Sequence, residues 1–127
     1  MKLRIKGDSL RLRVSRSEVA KFLAGDCLEE TIHFTPEAAA SFTYALQQKT
    51  SSCRPTVQYS DNKVTILIPT EEANAWGTTD QVGIAEDISL GALGSLGLLI
   101  EKDFACLDRS EEDNEDTFPD PNAGTTC

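Results

Sequence analysis

The chain has 127 residues and a formal net charge of −9 at pH 7, with a sequence pI near 4.5. This length predicts a single domain that can bury a core without help from metals or disulfides. The acidic balance argues against a nucleic-acid-binding protein, and the lack of any run of about eighteen apolar residues argues against a membrane-spanning helix.

The N-terminal stretch and the cysteines bear on the compartment. MKLRIKGDSLRLRV is basic, but it lacks a continuous apolar segment and a small-residue cleavage site, so we expect no signal peptide. The four cysteines would suit two disulfides in a secreted protein; they are Cys27, Cys53, Cys106 and Cys127. Without an export signal we expect reduced thiols and a cytoplasmic protein.

The first predicted elements are a hairpin and a helix. KLRIK and SLRLRV both alternate apolar and charged residues, and a glycine-containing turn separates them, which predicts two paired strands. A short helix is predicted at about 16–24, because Ser15 or Ser17 can cap it, Ser15 with Glu18 fits a capping box, and Gly25 marks a stop.

Further strands are predicted in CLEETIHF, SFTYALQQ, PTVQYS, KVTILIP, QVGIAEDISL and LGLLIEKDF, of which PTVQYS and KVTILIP form a second hairpin. Pro69 followed by TEEANAW predicts a second helix capped by Thr70, with Trp76 as a core anchor. GALGS is interpreted as a turn, since it lacks the Lys-Ser/Thr end of a phosphate loop. No internal repeat is visible. The fold class predicted is α+β, a mostly antiparallel, strongly curved sheet or open barrel of seven to eight strands with two short helices.

The composition changes after Leu107. We expect residues 1–107 to form the single α+β domain and residues 108–127 to form an acidic tail that could dock on it, held by Phe118. Residues 1–21 carry seven cations and two carboxylates, a net charge of +5, whereas residues 101–127 carry two and nine, a net charge of −7. The two ends would attract each other, or each would attract a different partner.

Three stretches carry a resemblance to a known family. They are RIKGDSLRLRVSRSEV near the start, SFTYALQ in the middle, and EKDFACL followed by FPDP and a terminal cysteine. The chain resembles a small uncharacterised bacterial protein family, a domain of unknown function. The resemblance implies a bacterial cytoplasmic source and no activity, substrate or cofactor. Asp120 stands where the family pattern has an Asn between the two prolines.

The first candidate site is cationic. The alternation sets five cations on one sheet face; they are Lys2, Arg4, Lys6, Arg11 and Arg13. Like charges repel there unless an anion lies among them, so this face is predicted to bind an anion or an acidic segment. The alternatives are a solvated face and docking of the acidic tail on it.

A catalytic extension of this site would need a divalent metal. The carboxylates that could hold it are Glu29, Glu30, Glu86 and Asp87. Such a site resembles, at the level of the fold, barrel enzymes that act on triphosphates. The Glu-x-Glu pattern of those enzymes is missing near the start of this chain.

The second candidate site is a metal centre that uses Cys106 and Cys127, completed by Cys27, Cys53 or His33. Cys127 could add its terminal carboxylate. The alternatives are a redox or disulfide pair, and plain packing, with Cys27, Cys53 and Cys106 as small core residues.

The leading hypothesis is a non-enzymatic binding module whose partner is an acidic protein segment or a small anionic ligand, not nucleic acid and not a membrane. The alternative is a zinc-type or phosphate-compound-acting protein with a thiol/carboxylate site. The cofactor is left open, with a divalent metal as the candidate.

Overall fold

The computed structural model describes residues 1–104 and 116–118. Within these residues the strands are β1 (Lys2–Ile5), β2 (Ser9–Val14), β3 (Leu28–His33), β4 (Ser41–Lys49), β5 (Thr56–Ser60), β6 (Lys63–Pro69), β7 (Gly83–Ser89) and β8 (Ser95–Lys102). The helices are α1 (Arg16–Leu23) and α2 (Thr70–Thr78), and a 3-10 turn at Gly91–Leu93 joins β7 to β8. The predicted boundary between residues 107 and 108 lies outside the described ranges.

The predicted α+β class is confirmed, but the strongly curved sheet or open barrel is wrong. The described strands form two separate four-stranded sheets, ordered β1-β2-β8-β7 and β3-β4-β6-β5. Both sheets are mixed, because a parallel pair, β2 with β8 or β4 with β6, joins two antiparallel hairpins. After each helix the chain continues in the other sheet. The first hairpin (β1 and β2) therefore shares a sheet with the last one (β7 and β8). Alternation within a strand shows which side chains share a face, and it holds no information on which hairpins become neighbours.

The two sheets are related by an internal repeat of the topology that the sequence does not display. The order hairpin, helix, hairpin occurs twice, and exchanging β1–β4 with β5–β8 converts one sheet order into the other. Residues 54 positions apart take equivalent places: the pair Leu3↔Leu12 in the first hairpin corresponds to Val57↔Ile66 in the third. The fold therefore consists of two copies of one strand–strand–helix–strand–strand unit.

One hydrophobic core receives side chains from both sheets and both helices. At its centre Phe22 of α1 and Trp76 of α2, which are equivalent positions of the two units, meet edge to face with ring centroids 6.1 Å apart. Trp76 is fully buried, and its indole Nε1 donates to the Val82 carbonyl at 3.1 Å, so its predicted role as a core anchor is confirmed. The same core contains strand residues of both sheets; they are Leu12, Val14, Leu28, Leu46, Ile66, Ile68, Ile84, Leu98 and Ile100.

The two helices begin differently. The Glu18 N–H donates to the Ser15 side chain at 3.4 Å, and the Ser15 N–H donates to the Glu18 carboxylate at 3.0 Å, which confirms the predicted capping box. Helix α2 has Pro69 at its N-cap and no side-chain cap. Thr70 is the first helical residue, and its predicted capping role is wrong because β6 runs up to Pro69 and the helix follows without a linker. The buried Thr70 hydroxyl has no hydrogen-bond partner among the described residues.

The described segment 116–118 lies against the C-terminal end of β8. The Phe118 N–H donates to the Asp103 carbonyl at 2.7 Å. The Phe118 ring meets Phe104 edge-on with centroids 6.0 Å apart, and the Lys102 ammonium lies 5.4 Å from its centre. Docking of the whole stretch 108–127 stays a prediction, since most of it lies outside the described residues. None of the described helices is long and apolar enough to cross a membrane.

Candidate functional site

Five cationic side chains share the outer face of the first sheet. Side chains alternate along β2, so Leu12 and Val14 point into the core, whereas Arg11 and Arg13 point to the outer face of the sheet. The β1–β2 register places Arg4 opposite Arg11. The five cations are Lys2, Arg4, Lys6, Arg11 and Arg13, and we call them the basic face. The structure thus brings the predicted anion-binding residues together, and their binding of an anion stays a prediction.

Carboxylates of the same chain neutralise part of the basic face. Glu101 of β8 forms an ion pair with Arg11, and its Oε1 lies 3.7 Å from the Arg13 Nε. Asp103 Oδ2 lies 3.5 Å from the Lys2 Nζ. Two carboxylates therefore offset the repulsion expected among the cations. The sequence pattern could not reveal this arrangement, because the parallel pairing of β2 with β8 joins residues 90 positions apart, as Arg11 and Glu101 are.

Arg4 and Lys6 differ from the other three cations. Within the described part of the chain, no carboxylate forms a salt bridge with either of them. Together with Arg11 they line a cavity of about 500 Å³ on the outer face of the first sheet. Its lining also includes Gly97, which has no side chain, and two acidic residues of β7, Glu86 and Asp87, on the side away from β1. Glu86 forms an ion pair with Arg54, so the cavity has three cations along one wall, and Asp87 and a paired Glu86 along the other.

The carboxylates proposed to hold a divalent metal are divided between the two sheets. Glu29 and Glu30 lie in β3 of the second sheet, where the Glu29 Oε2 is 2.8 Å from the Lys63 Nζ. Glu86 and Asp87 lie in β7 of the first sheet. Among the described residues, no three or more His, Cys, Asp and Glu side chains form a group that could hold a metal ion.

The described cysteines lie on the surface. Cys27 and Cys53 are exposed free thiols, so the alternative that made them small core residues is wrong. Both belong to connecting segments, outside the alternating strand positions that fill the core. His33 is exposed at the end of β3. The candidate metal ligands Cys106 and Cys127 lie outside the described residues, and that site stays a prediction.

A polar cluster that the sequence analysis missed links the N-terminus to helix α1 and to the second sheet. The Met1 ammonium is 2.6 Å from the Glu18 Oε2 and 3.7 Å from the Glu30 Oε2. The Tyr44 hydroxyl donates to Glu30 at 2.8 Å, and burial together with this hydrogen bond raises the pKa of Tyr44 to about 12. Burial alone would raise the pKa of Glu18, but hydrogen bonds from the Met1 ammonium and Ser15 lower it below its usual value. The Ser15–Glu18 pair is the predicted capping box, whereas the contacts of Met1 with Glu18 and of Tyr44 with Glu30 join residues far apart in the sequence, so no local motif indicates them.

Apolar side chains remain exposed where β1 approaches the second sheet. Ile5, Phe34 and Tyr59 are 60%, 65% and 67% exposed, and all three line a cavity of about 420 Å³. A neighbouring cavity of about 590 Å³ shares Ile5 and Phe42 with it. We call the two cavities the apolar cleft; its apolar lining includes Leu3, Ile5, Ile32, Phe34, Phe42 and Tyr59. Contiguous exposed apolar surface of this kind is typical of binding sites.

Comparison with known proteins identifies a family and no activity. The model of a family of unknown function (DUF7009) matches residues 1–122. No curated protein and no solved structure matches the chain. The family match spans nearly all of the 127 residues and confirms the resemblance to an uncharacterised family. Since the family description names no activity, it assigns no site residues, and the function must be argued from the geometry.

Proposed function

We propose that this protein, which belongs to the family of unknown function DUF7009, is a non-enzymatic binding module whose basic face holds an acidic ligand. The observation that supports this most directly is the position of Arg4 and Lys6. Both line the 500 Å³ cavity, and no carboxylate of the described residues forms a salt bridge with them. The remaining cations are already matched by Glu101 and Asp103.

The chemistry of this wall suits carboxylates and phosphates. A guanidinium presents two parallel N–H donors to such groups, and hydrogen bonds between opposite charges are shorter and stronger than neutral ones. Arg11 adds a second guanidinium, and its ion pair with Glu101 orients it. The ligand would therefore face hydrogen-bond donors from Arg4, Lys6 and Arg11, of which Arg11 is held in position by Glu101.

The hydroxyl group of the described lining is not arranged as a nucleophile. Ser9 is a hydroxyl-bearing residue of the cavity, and its hydroxyl donates to the Lys6 carbonyl at 2.6 Å. A nucleophilic serine would instead be hydrogen-bonded to a general base. The net charge of −9 keeps anions away from most of the surface, so attraction is concentrated on the basic face.

The proposal is tested by calorimetric titration with inorganic tripolyphosphate at low and at physiological salt. Wild-type protein should bind, and the affinity should fall as salt screens the charges. The double variant Arg4→Gln/Lys6→Gln should bind at least about tenfold more weakly, because each charged hydrogen bond is worth about 1.5–3 kcal/mol.

A matched control removes the same charge elsewhere. Lys21 lies on α1 and Lys49 on β4, so Lys21→Gln/Lys49→Gln changes the net charge equally without touching the cavity. The control should keep wild-type affinity. Equal losses in both double variants would reduce the effect to net charge and refute a site on the basic face, as would the absence of binding to wild-type protein at low salt.

A further inference from the structure

Among the described strands β1 lies at an edge of the first sheet, which is ordered β1-β2-β8-β7, and no other described strand pairs with its open side. In an antiparallel pair, residues alternate between pointing their N–H and C=O groups at the partner strand and pointing them away. The Lys6 N–H donates to the Ser9 carbonyl at 3.2 Å, so the hydrogen-bonded positions of this hairpin are the even-numbered residues of β1. The backbone groups of Leu3 and Ile5 therefore face outward along the sheet edge.

The two sides of β1 differ in chemistry. Lys2, Arg4 and Lys6 point to the outer face, whereas Leu3 and Ile5 point into the apolar cleft. Ile5 stays 60% exposed there. Because strand side chains alternate with a period of two, a strand laid beside β1 would place its residues alternately over the cations and in the cleft.

We propose that β1 accepts an extended peptide as a fifth strand of the first sheet, with alternate carboxylates on Arg4 and Lys6 and the apolar side chains between them in the apolar cleft. This inference rests on the proposed function, since the same two cations hold the ligand. Backbone hydrogen bonds to Leu3 and Ile5 supply affinity, and the two different sides of the strand select the peptide, as in other cases of strand addition.

Charge complementarity singles out β1 among the edge strands. The other edges of the two sheets are β3, β5 and β7. β3 carries Glu29 and Glu30, and β7 carries Glu86 and Asp87, so both would repel an acidic peptide. β5 (Thr56–Ser60) has no charged side chain. A second copy of this chain does not fit β1 either, because two paired β1 strands would set lysines and arginines beside one another.

The test uses three capped, fluorescein-labelled hexapeptides and wild-type protein, with binding followed by fluorescence anisotropy. One alternates Glu and Val, one has the same composition in two blocks, and one is the alternating peptide with N-methylated valines. The valines are chosen because their N–H groups would face Leu3 and Ile5 when the added strand runs antiparallel to β1, the orientation in which directly opposite residues bond to each other. We expect the alternating peptide to bind at least tenfold more tightly than the other two, and the amides of Leu3 and Ile5 to exchange more slowly in its presence.

Protein variants separate this inference from the proposed function. Ile5→Glu places a like charge in the path of the peptide and should weaken peptide binding at least tenfold while tripolyphosphate still binds. Leu93, 81% exposed in the β7–β8 turn, provides the control Leu93→Glu, which should leave both affinities unchanged. Equal binding of all three peptides to wild-type protein would overturn strand addition and leave the anion site standing. If wild-type protein bound neither tripolyphosphate nor any of the peptides, both the strand addition and the proposed anion site would be overturned.

Discussion

Replacing Glu18 with glutamine should expose the energetic role of the cluster at the N-terminus. Glu18 accepts hydrogen bonds from the Ser15 N–H and from the Met1 ammonium, and its side chain is 21% exposed. Glutamine keeps the size and one acceptor oxygen, but it loses the charge that both donors favour. We therefore expect Glu18→Gln to be less stable than wild type at neutral pH.

The magnitude follows from the contacts that are weakened. A helix cap is worth about 1 kcal/mol, and a hydrogen bond to a charged group about 1.5–3 kcal/mol. Because glutamine retains part of the capping interaction, the expected loss in the free energy of unfolding is about 1–2 kcal/mol near pH 7. For a domain of this size the melting temperature should fall by about 4–8 °C.

The pH dependence gives the sharper test. The folded-state pKa of Glu18 lies below its ordinary value, so its charged form stabilises the fold above the unfolded pKa, and that stabilisation is lost as the pH falls through the folded pKa. Urea denaturation of both proteins between pH 3 and pH 7 should show a difference that is largest at neutral pH and narrows in acid. A difference that stays constant over this range would refute the role of the charge.

Glu72 provides a matched control, because it lies 54 positions after Glu18 in the equivalent helix. Burial raises its pKa, and the nearby charge of Glu86 adds to the effect. The charged form is therefore disfavoured in the folded state, and Glu72→Gln should leave stability unchanged or raise it at neutral pH. Equal destabilisation by both variants would show that the two sites do not differ electrostatically.

Two further substitutions test the helix packing by urea denaturation. Thr70→Val removes a buried hydroxyl that has no partner among the described residues, so it should raise the free energy of unfolding by about 1 kcal/mol. The control is Thr78→Val. The Thr78 hydroxyl donates to a backbone carbonyl, so its removal should bring no gain in stability. Trp76→Ala should lower the free energy of unfolding by about 3–5 kcal/mol, because the side chain is fully buried. Trp76→Phe should lower it clearly less, since the Val82 carbonyl that accepts from the indole still accepts from the Lys102 N–H. A gain with Thr78→Val, or equal losses with both Trp76 variants, would contradict these assignments.

Much of the local structure could be predicted from residue spacing. The hairpins around residues 7–8 and 61–62, the capping box of Ser15 and Glu18, and the shared side of the five cations depend on neighbours a few positions apart. Periodicity and capping record such neighbours directly. The sequence by itself therefore determined most of the strands and helices, and it determined which cations make up the basic face.

The tertiary structure alone decided how these elements combine. Nothing in the alternation of a strand indicates that the first hairpin pairs with the last, yet this pairing places Glu101 beside Arg11 and leaves Arg4 without a described carboxylate partner. The apolar cleft likewise arises only because β1 approaches residues of another sheet, such as Phe42. These features depend on contacts between residues far apart in the chain, whose energies are settled by packing and charge pairing in the folded state and leave no local pattern in the sequence.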